Sequence, residues 1–375
     1  MEALTSLRKA LHQAPELSGK EINTSLKIKD WFDALNPSST LTNIGGHGLI
    51  ITFDSGKSGP HIAFRCELDA LPIEEVNSFN HRSHIEGVSH KCGHDGHMTI
   101  LAGLGLWLSQ THLPKGRVSL IYQPAEEIGI GAKAMIDDEK WPGDIDYIFA
   151  LHNLPGFPYG QILLYPEAIT PTVLSIAIEL QGITSHASQP HEGINPSIAI
   201  SEIIHQLLQL NQPKPHEDEF QLITPVHTLI GSKDYGISPG YGETHFTMRT
   251  KDEESMDQLK RKITDIIDRV SVKHKLTTSI SYSDYFPSVH NHVDCFREIK
   301  KICIDHHIPF HILDDPLPFG EDFGFFTQSI KGVFMGIGSG VDTPPLHHNT
   351  YDFPDRIIPQ GIHIFKEIIN YLINH

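Results

Sequence analysis

Residues 1–35 carry an amphipathic helical pattern that closes at Asn36-Pro37-Ser38-Ser39, where a proline and small polar residues stop a helix. Short apolar segments follow at Gly48 to Phe53, His61 to Phe64, Val118 to Tyr122 and Tyr147 to Leu151, each of strand length and bounded by Gly, Pro or Asp. Helical stretches fall between some of them, over Thr99 to Ser109 and Gly131 to Asp137. Strands alternating with helices predict an α/β fold with a mostly parallel sheet covered on both faces.

The pattern changes after Tyr165-Pro166. Thr172 to Leu180 reads as a strand and Pro196 to Leu210 as a helix, with Asn195 placed to cap it. Strands at Gln221 to Ile230 and Glu243 to Arg249, a long amphipathic helix at Glu253 to Val272 and a strand at Thr277 to Tyr282 complete the stretch. Strand-helix-strand-strand-helix-strand is the order of the ferredoxin-like split unit. From Pro287 the first pattern returns, with a helix containing Phe296 to Asp305, a strand at Gly332 to Ile337 and a last helix at Pro359 to Ile373. The expected organisation is an α/β domain in two parts, 1–166 and 285–375, interrupted by a ferredoxin-like α+β domain over 167–284.

Length agrees with two domains, since 375 residues exceed one small core. The 46 acidic side chains outnumber the 29 basic ones, for a formal net charge of −17, which argues against nucleic acid or an anionic membrane as partner. The N-terminus lacks the apolar core and cleavage site of a secretory signal. The longest apolar run, around Ile100 to Leu108, is far short of the ~20 residues that cross a bilayer, so a cytoplasmic protein is expected. Four cysteines in so long a chain make no disulfide scaffold, and no C-x-x-C pair exists. The informative excess is histidine, 26 residues, and position has to decide which of them matter.

The densest chemical segment is His90-Lys-Cys-Gly-His-Asp-Gly-His97, which sets Cys92, His94, Asp95 and His97 just before a helix. Thiolate, imidazole and carboxylate are usual ligands for zinc and neighbouring transition metals. The second is Tyr122-Gln-Pro-Ala-Glu-Glu-Ile-Gly129, directly after a strand. Adjacent carboxylates there are unfavourable unless a positive charge neutralises them, and a metal lets the pair divide labour between ligation and proton transfer. His152 ends another apolar strand, and Pro345-Leu-His-His-Asn349 follows a strand and a glycine-rich loop. Ligands outside the carboxyl ends of sheet strands are the expected arrangement for this architecture.

These segments resemble the zinc-dependent aminoacylase and carboxypeptidase family, in its N-acyl-amino-acid branch of hippurate and auxin-conjugate type amidohydrolases. The resemblance is carried by His12-Gln-Ala-Pro-Glu-Leu-Ser18, Arg65-Cys-Glu-Leu-Asp-Ala-Leu-Pro72, Cys92-Gly-His-Asp-Gly-His97 and Gln123-Pro-Ala-Glu-Glu127. Gly182-Ile-Thr-Ser-His-Ala-Ser-Gln-Pro190, Gly320-Glu-Asp-Phe323 and Leu346-His-His348 extend it to nearly the whole chain. It implies two divalent metal ions per subunit (zinc, manganese, cobalt or nickel), with Cys92, His94, Glu127, His152 and His347 as ligands. It makes Glu126 the general base and proton shuttle for hydrolysis of a small-molecule N-acyl amino acid or related amide. Asp69 and Asp95 match positions that orient ligands, and His97 and His348 match supporting or structural ones. It also makes the inserted domain a dimerisation and lid domain and the protein a homodimer, in which His186 reaches the partner subunit's active site and steadies the oxyanion. Arg249 matches an arginine able to take a substrate carboxylate.

Three departures bear on substrate. Glu67 stands where the branch usually has Asp, Cys66 replaces a small residue, and Gly236 within Asp234-Tyr-Gly-Ile-Ser-Pro239 replaces a substrate-binding Asn. A dipeptidase or carboxypeptidase of the same family is the alternative enzyme. A catalytically silent binding relative would have lost a ligand or the base, and none is missing. A serine hydrolase is excluded although Gly236-Ile-Ser-Pro-Gly240 fits G-x-S-x-G, because Pro239 has no N–H for an oxyanion hole.

Overall fold

The apolar runs read as strands pair with one another in a computed structural model, which describes residues 1–215 and 217–375. The chain divides into a larger unit, Met1–Ile169, Val289–Asp314 and Asp322–His375, and a smaller one, Thr170–Ser288 with Asp315–Glu321. In the larger unit, Arg117–Gln123, His61–Glu67, Tyr147–Leu154 and Lys331–Gly338 lie side by side and parallel. Antiparallel neighbours extend them, Gly48–Asp54 and then Ser39–Ile44 on one side, and Ile162–Leu164 on the other, with Phe310–Ile312 parallel beyond it. His61–Glu67 is buried at every position, which is why it reads as a continuous run rather than an alternating one. Because the four central strands run the same way, their carboxyl ends share one edge, and the loops leaving that edge can meet.

The helix His94–Ser109 packs against Glu2–His12, Ile22–Asp33 and Ile358–Asn374. A Cβ on Gly105 would come within 2.2 Å of Phe32 Cε1, so the bare backbone is what lets the second helix approach. Phe32, Leu120, Leu104 and Phe365 lie in the continuous core beneath.

The smaller unit is an antiparallel sheet in the order Gln221–Ile230, Tyr241–Thr250, Thr172–Gln181, Thr277–Phe286. Along Tyr241–Thr250 every second residue is buried, and Phe246 and Met248 join Ile203, Leu207, Leu259 and Ile263 of the helices Ser197–Leu208 and Glu253–His274 in a separate core. Sheet order and helix placement are those of the ferredoxin-like split unit. Asp252 caps the long helix by accepting from Ser255 N at 2.9 Å. The segment Asp315–Glu321 sits with this unit, where Arg249 Nε donates to Pro318 O at 3.0 Å and Gly320 closes on Phe286.

Local readings shift where backbone chemistry intervenes. The single helix expected over 1–35 is two, Glu2–His12 and Ile22–Asp33. Pro15 lacks an N–H, and Gly19, at φ 74°, turns the chain between them. A strand, Ser39–Ile44, lies between the helix stop at Pro37 and the first apolar segment, a stretch to which the sequence pattern assigns no element. Asn195 lies one residue before the cap position, with Oδ1 accepting from Ser197 N at 2.9 Å. The helix read from Thr99 begins at His94, because Gly93 adopts φ 97° and its carbonyl accepts from Gly96 N at 2.9 Å and His97 N at 3.1 Å.

A buried charge cluster fixes the first helix to that turn. Arg8 and His12, one turn apart, both face Asp95. His12 Nδ1 donates to Asp95 Oδ2 at 2.7 Å and Nε2 to Glu75 Oε1 at 3.1 Å, while Arg8 donates to Asp352 and Asp355 at 2.7 Å each. Lys91 Nζ donates to the same Glu75 carboxylate. Burial opposes charge on His12, but Asp95 and Glu75 outweigh it and raise its pKa to about 9. A folded-state pKa above the ordinary 6.5 means that this contribution is complete below pH 6.5 and is lost as pH rises through about 9. Urea denaturation across that interval is expected to show falling stability, with the slope flattened in His12→Gln. An equal slope in the two proteins would contradict the charged assignment.

Candidate metal centre

Cys92 and His94 flank Gly93, whose conformation only glycine accepts here: a Cβ would meet Asn153 Oδ1 at 2.2 Å. The turn aims both side chains at the strand-end edge. Cys92 Sγ lies 3.3 Å from His152 Nε2 and 3.4 Å from His347 Nε2. His94 Nε2 lies 3.7 Å from Glu127 Oε1 and 3.9 Å from Glu126 Oε2, and His347 Nε2 lies 3.8 Å from Glu127 Oε2. Ligand-type atoms therefore gather as Cys92, His94 and His152, as Cys92, Glu127 and His347, and as His94, Glu126 and Glu127.

Each imidazole is oriented by its other nitrogen. His94 Nδ1 donates to Asp69 O at 2.8 Å and His152 Nδ1 to Asn153 O at 2.9 Å, which leaves both Nε2 atoms as lone-pair donors toward the cluster. The acid pair is held by its turn. Ala125 N donates to the buried Glu21 Oε1 at 2.8 Å, and Glu127 N to Asp69 Oδ2 at 3.0 Å. Ala125 (φ 51°) and His347 (φ 64°) are left-handed without being glycine, a strain of order 1–3 kcal/mol each that the surrounding contacts hold.

The electrostatics call for a cation. Burial pushes the Cys92 thiol well above its usual range, and the neighbouring Glu127 and Glu126 add to it. Burial likewise raises Glu127. For His94 burial opposes protonation, but Asp69, Glu67 and Glu127 outweigh it and lift the pKa to about 10. His94 Nε2 and Glu127 Oε1 are buried without hydrogen-bond partners. Buried donors of this kind, facing each other unsatisfied, fit a divalent ion that displaces their protons.

Asp95 sits behind the centre, paired to His12 as described. His186 lies in the smaller unit, on the short strand Ser185–His186 opposite Ile237. Its Nδ1 accepts from Ser188 N at 3.1 Å, so the neutral ring carries its proton on Nε2 and presents a donor. Gly236, beside it, accepts from Ala187 N at 2.9 Å through its carbonyl and donates to Asp234 Oδ1 at 3.0 Å. Arg249 lies on Tyr241–Thr250 in the same unit. His348 is exposed, and its ring bonds Thr350, through Thr350 Oγ1 at 2.7 Å and Thr350 N.

Behind the centre, His97 and Glu67, both singled out in the sequence, are joined by Asn153 and Tyr351, which are not. His97 Nδ1 bonds Glu67 Oε2 at 2.7 Å and its Nε2 lies 2.6 Å from Asn153 Oδ1, while Asn153 donates onward to Tyr351. Arg65 pairs with Glu67, and it donates to Gln123 Oε1 and Asp322 Oδ1 at 2.8 Å each. The extra methylene of Glu67 thus spans from Arg65 to His97.

Comparison with known proteins accords with this geometry. The chain is 28% identical over 377 residues to N-acetyl-L-cysteine deacetylase of Bacillus subtilis (strain 168), covering 99% of this chain and 88% of that protein. It is 30% identical over 335 residues to N-acetyldiaminopimelate deacetylase of Priestia megaterium, covering 88% of each. A solved Bacillus subtilis structure described as a dinuclear metal binding peptidase from the M20 family shares the fold, with a TM-score of 0.86 at 24% identity, over 100% of this chain and 98% of that one. The model of peptidase family M20/M25/M40 matches residues 63–371, and the chain belongs to that family.

Proposed function

We propose that this protein is a metal-dependent amidohydrolase that cleaves the amide bond of an N-acyl amino acid, with Glu126 as the proton-transfer group. The observation that carries the reading is the meeting of Cys92, His94, Glu126, Glu127, His152 and His347 at one strand-end edge, with buried ligand atoms unsatisfied. The names of the two relatives, both deacetylases of N-acetylated amino acids, support the substrate class.

Cys92, His94, Glu127, His152 and His347 would hold two divalent ions of the zinc, manganese, cobalt or nickel class, and mixed thiolate, imidazole and carboxylate donors suit several of these. When bound, the ions supply Lewis acidity to the attacking water and to the amide carbonyl. Asp69, through its carbonyl, keeps the His94 ring in the tautomer that ligates, and Asp95 anchors the turn that carries it. Glu126 takes the proton of the attacking water on a carboxylate oxygen and returns it to the leaving amine nitrogen. His186 Nε2–H is assigned to the carbonyl oxygen as it gains charge, and Arg249 to the carboxylate of the amino-acid product. A homodimer formed through the smaller unit, with His186 serving the partner's centre, completes the reading. Among the described residues no helix is long and apolar enough to cross a membrane.

Stripping the protein with chelator and restoring single metals should return release of free amino acid from some member of a panel of N-acetyl and N-benzoyl amino acids. Turnover of dipeptides alone would transfer the assignment to a dipeptidase, and metal binding with no turnover at all would leave a silent binding protein. In Glu126→Gln the restored rate should fall by roughly 10²–10⁴-fold with metal content unchanged, the range expected for loss of a positioned acid–base group. A Glu126→Gln protein of near-normal rate would remove Glu126 from the mechanism. Cys92→Ser should lower retained metal as well as rate, read by elemental analysis after dialysis.

A further inference from the structure

The histidine excess also places ligand-type side chains on the smaller unit's sheet. Phe246 and Met248 of Tyr241–Thr250 face the helices, so Tyr241, Glu243 and His245 share the opposite face. His245 stands directly across from His227 of the neighbouring strand, and their rings meet at 5.2 Å between centroids and 86° between planes. Glu243 Oε1 lies 3.4 Å from His227 Nε2 and 3.7 Å from His245 Nε2. Its other oxygen accepts from Tyr241 Oη at 2.7 Å. His245 Nε2 is shielded from solvent yet has no hydrogen-bond partner.

The ordinary account of such a group is a surface ion pair. On a partly exposed face such a pair is screened by solvent and contributes little. That account leaves unexplained why two imidazole nitrogens flank a single carboxylate oxygen while the second oxygen is held by a tyrosine. Bonds of about 2.0–2.2 Å around a tetrahedral ion put neighbouring donor atoms roughly 3.4 Å apart. The two Glu–His separations are near that edge, while the two ring nitrogens stand farther apart, and the half-exposed His227 ring would turn to close the third side on binding. Tyr241 would then play the orienting part that hydrogen-bonded neighbours of ligating carboxylates play elsewhere.

We propose that His227, His245 and Glu243 form a divalent transition-metal site, of the zinc, nickel or copper class, built from none of the residues of the centre in the larger unit. Two neutral imidazoles and one carboxylate suit these borderline ions and disfavour magnesium and calcium.

The test uses the full chain, stripped with chelator and titrated with zinc by calorimetry and equilibrium dialysis at neutral pH. The wild type should bind one equivalent more per chain than the His227→Ala/His245→Ala protein, with melting temperatures of the metal-free forms matched. Tyr241→Phe should weaken that equivalent roughly 10–100-fold without abolishing it. In the wild type alone, the ring-nitrogen NMR signals of His227 and His245 should shift together and saturate at the same zinc equivalence. Equal stoichiometry in the two proteins, ring signals that do not move, or saturation only at millimolar zinc would each overturn the site.

Discussion

The Asp69 carboxylate is the point at which separate stretches of chain are tied at the sheet edge. Its Oδ2 accepts from Ser18 Oγ at 2.7 Å and from Glu127 N at 3.0 Å, and its own carbonyl accepts from His94 Nδ1. Ala70 N next to it donates to Glu16 O at 2.8 Å. Burial works against its charge, but His94, Ser18 and Glu127 N outweigh that and hold its pKa below the ordinary value. A buried carboxylate so supplied with donors remains an anion, while the backbone carbonyl of the same residue sets the His94 tautomer. Neutralising the carboxylate would release the acid-pair turn and the loop of Ser18 together.

Around this anchor the larger unit is layered in charge. Outermost, Arg8 and His12 neutralise Asp95 beneath the helix start, and Glu75 accepts from the other nitrogen of His12. Inside them stand the thiol, imidazoles and carboxylates of the centre. Arg65, fully buried, pairs with Glu67 and Asp322. The result is a pocket of ligand-type protein atoms gathered from a strand end, a helix start and the turns that carry Glu126, Glu127 and His347. The two left-handed residues, Ala125 and His347, are where the backbone bends in those turns.

The smaller unit obeys a different logic. Its sheet carries one apolar face for its two helices and one polar face, so its strand Tyr241–Thr250 alternates cleanly where His61–Glu67 of the larger unit is buried at every position. That alternation is what sets His227, His245 and Glu243 on one surface, and it equally sets Arg249 there, four residues from His245. His186 belongs to a separate two-stranded pairing with Ile237–Ser238, whose backbone bonds fix its ring by way of Ser188.

Much of this was legible in the residues themselves. Period-two alternation and continuous apolar runs distinguish the two sheets without any coordinates, and Cys92-Gly-His-Asp-Gly-His97 and Glu126-Glu127 announce ligand chemistry by type and spacing, because those properties are local. What the residues did not announce depends on distance through space. The helix start at His94 rests on Gly93 taking a positive φ against Asn153, a neighbour sixty positions on. The break between the first two helices, the Glu67–His97–Asn153 chain and the pairing of Arg65 with Asp322 likewise join positions that no periodicity links. A side chain's type is written in the sequence, and so is the strand or helix it rides on. Which nitrogen of a histidine faces a ligand, and which carboxylate is paid back by a buried arginine, is decided only when the folded sheet brings their partners within 3 Å.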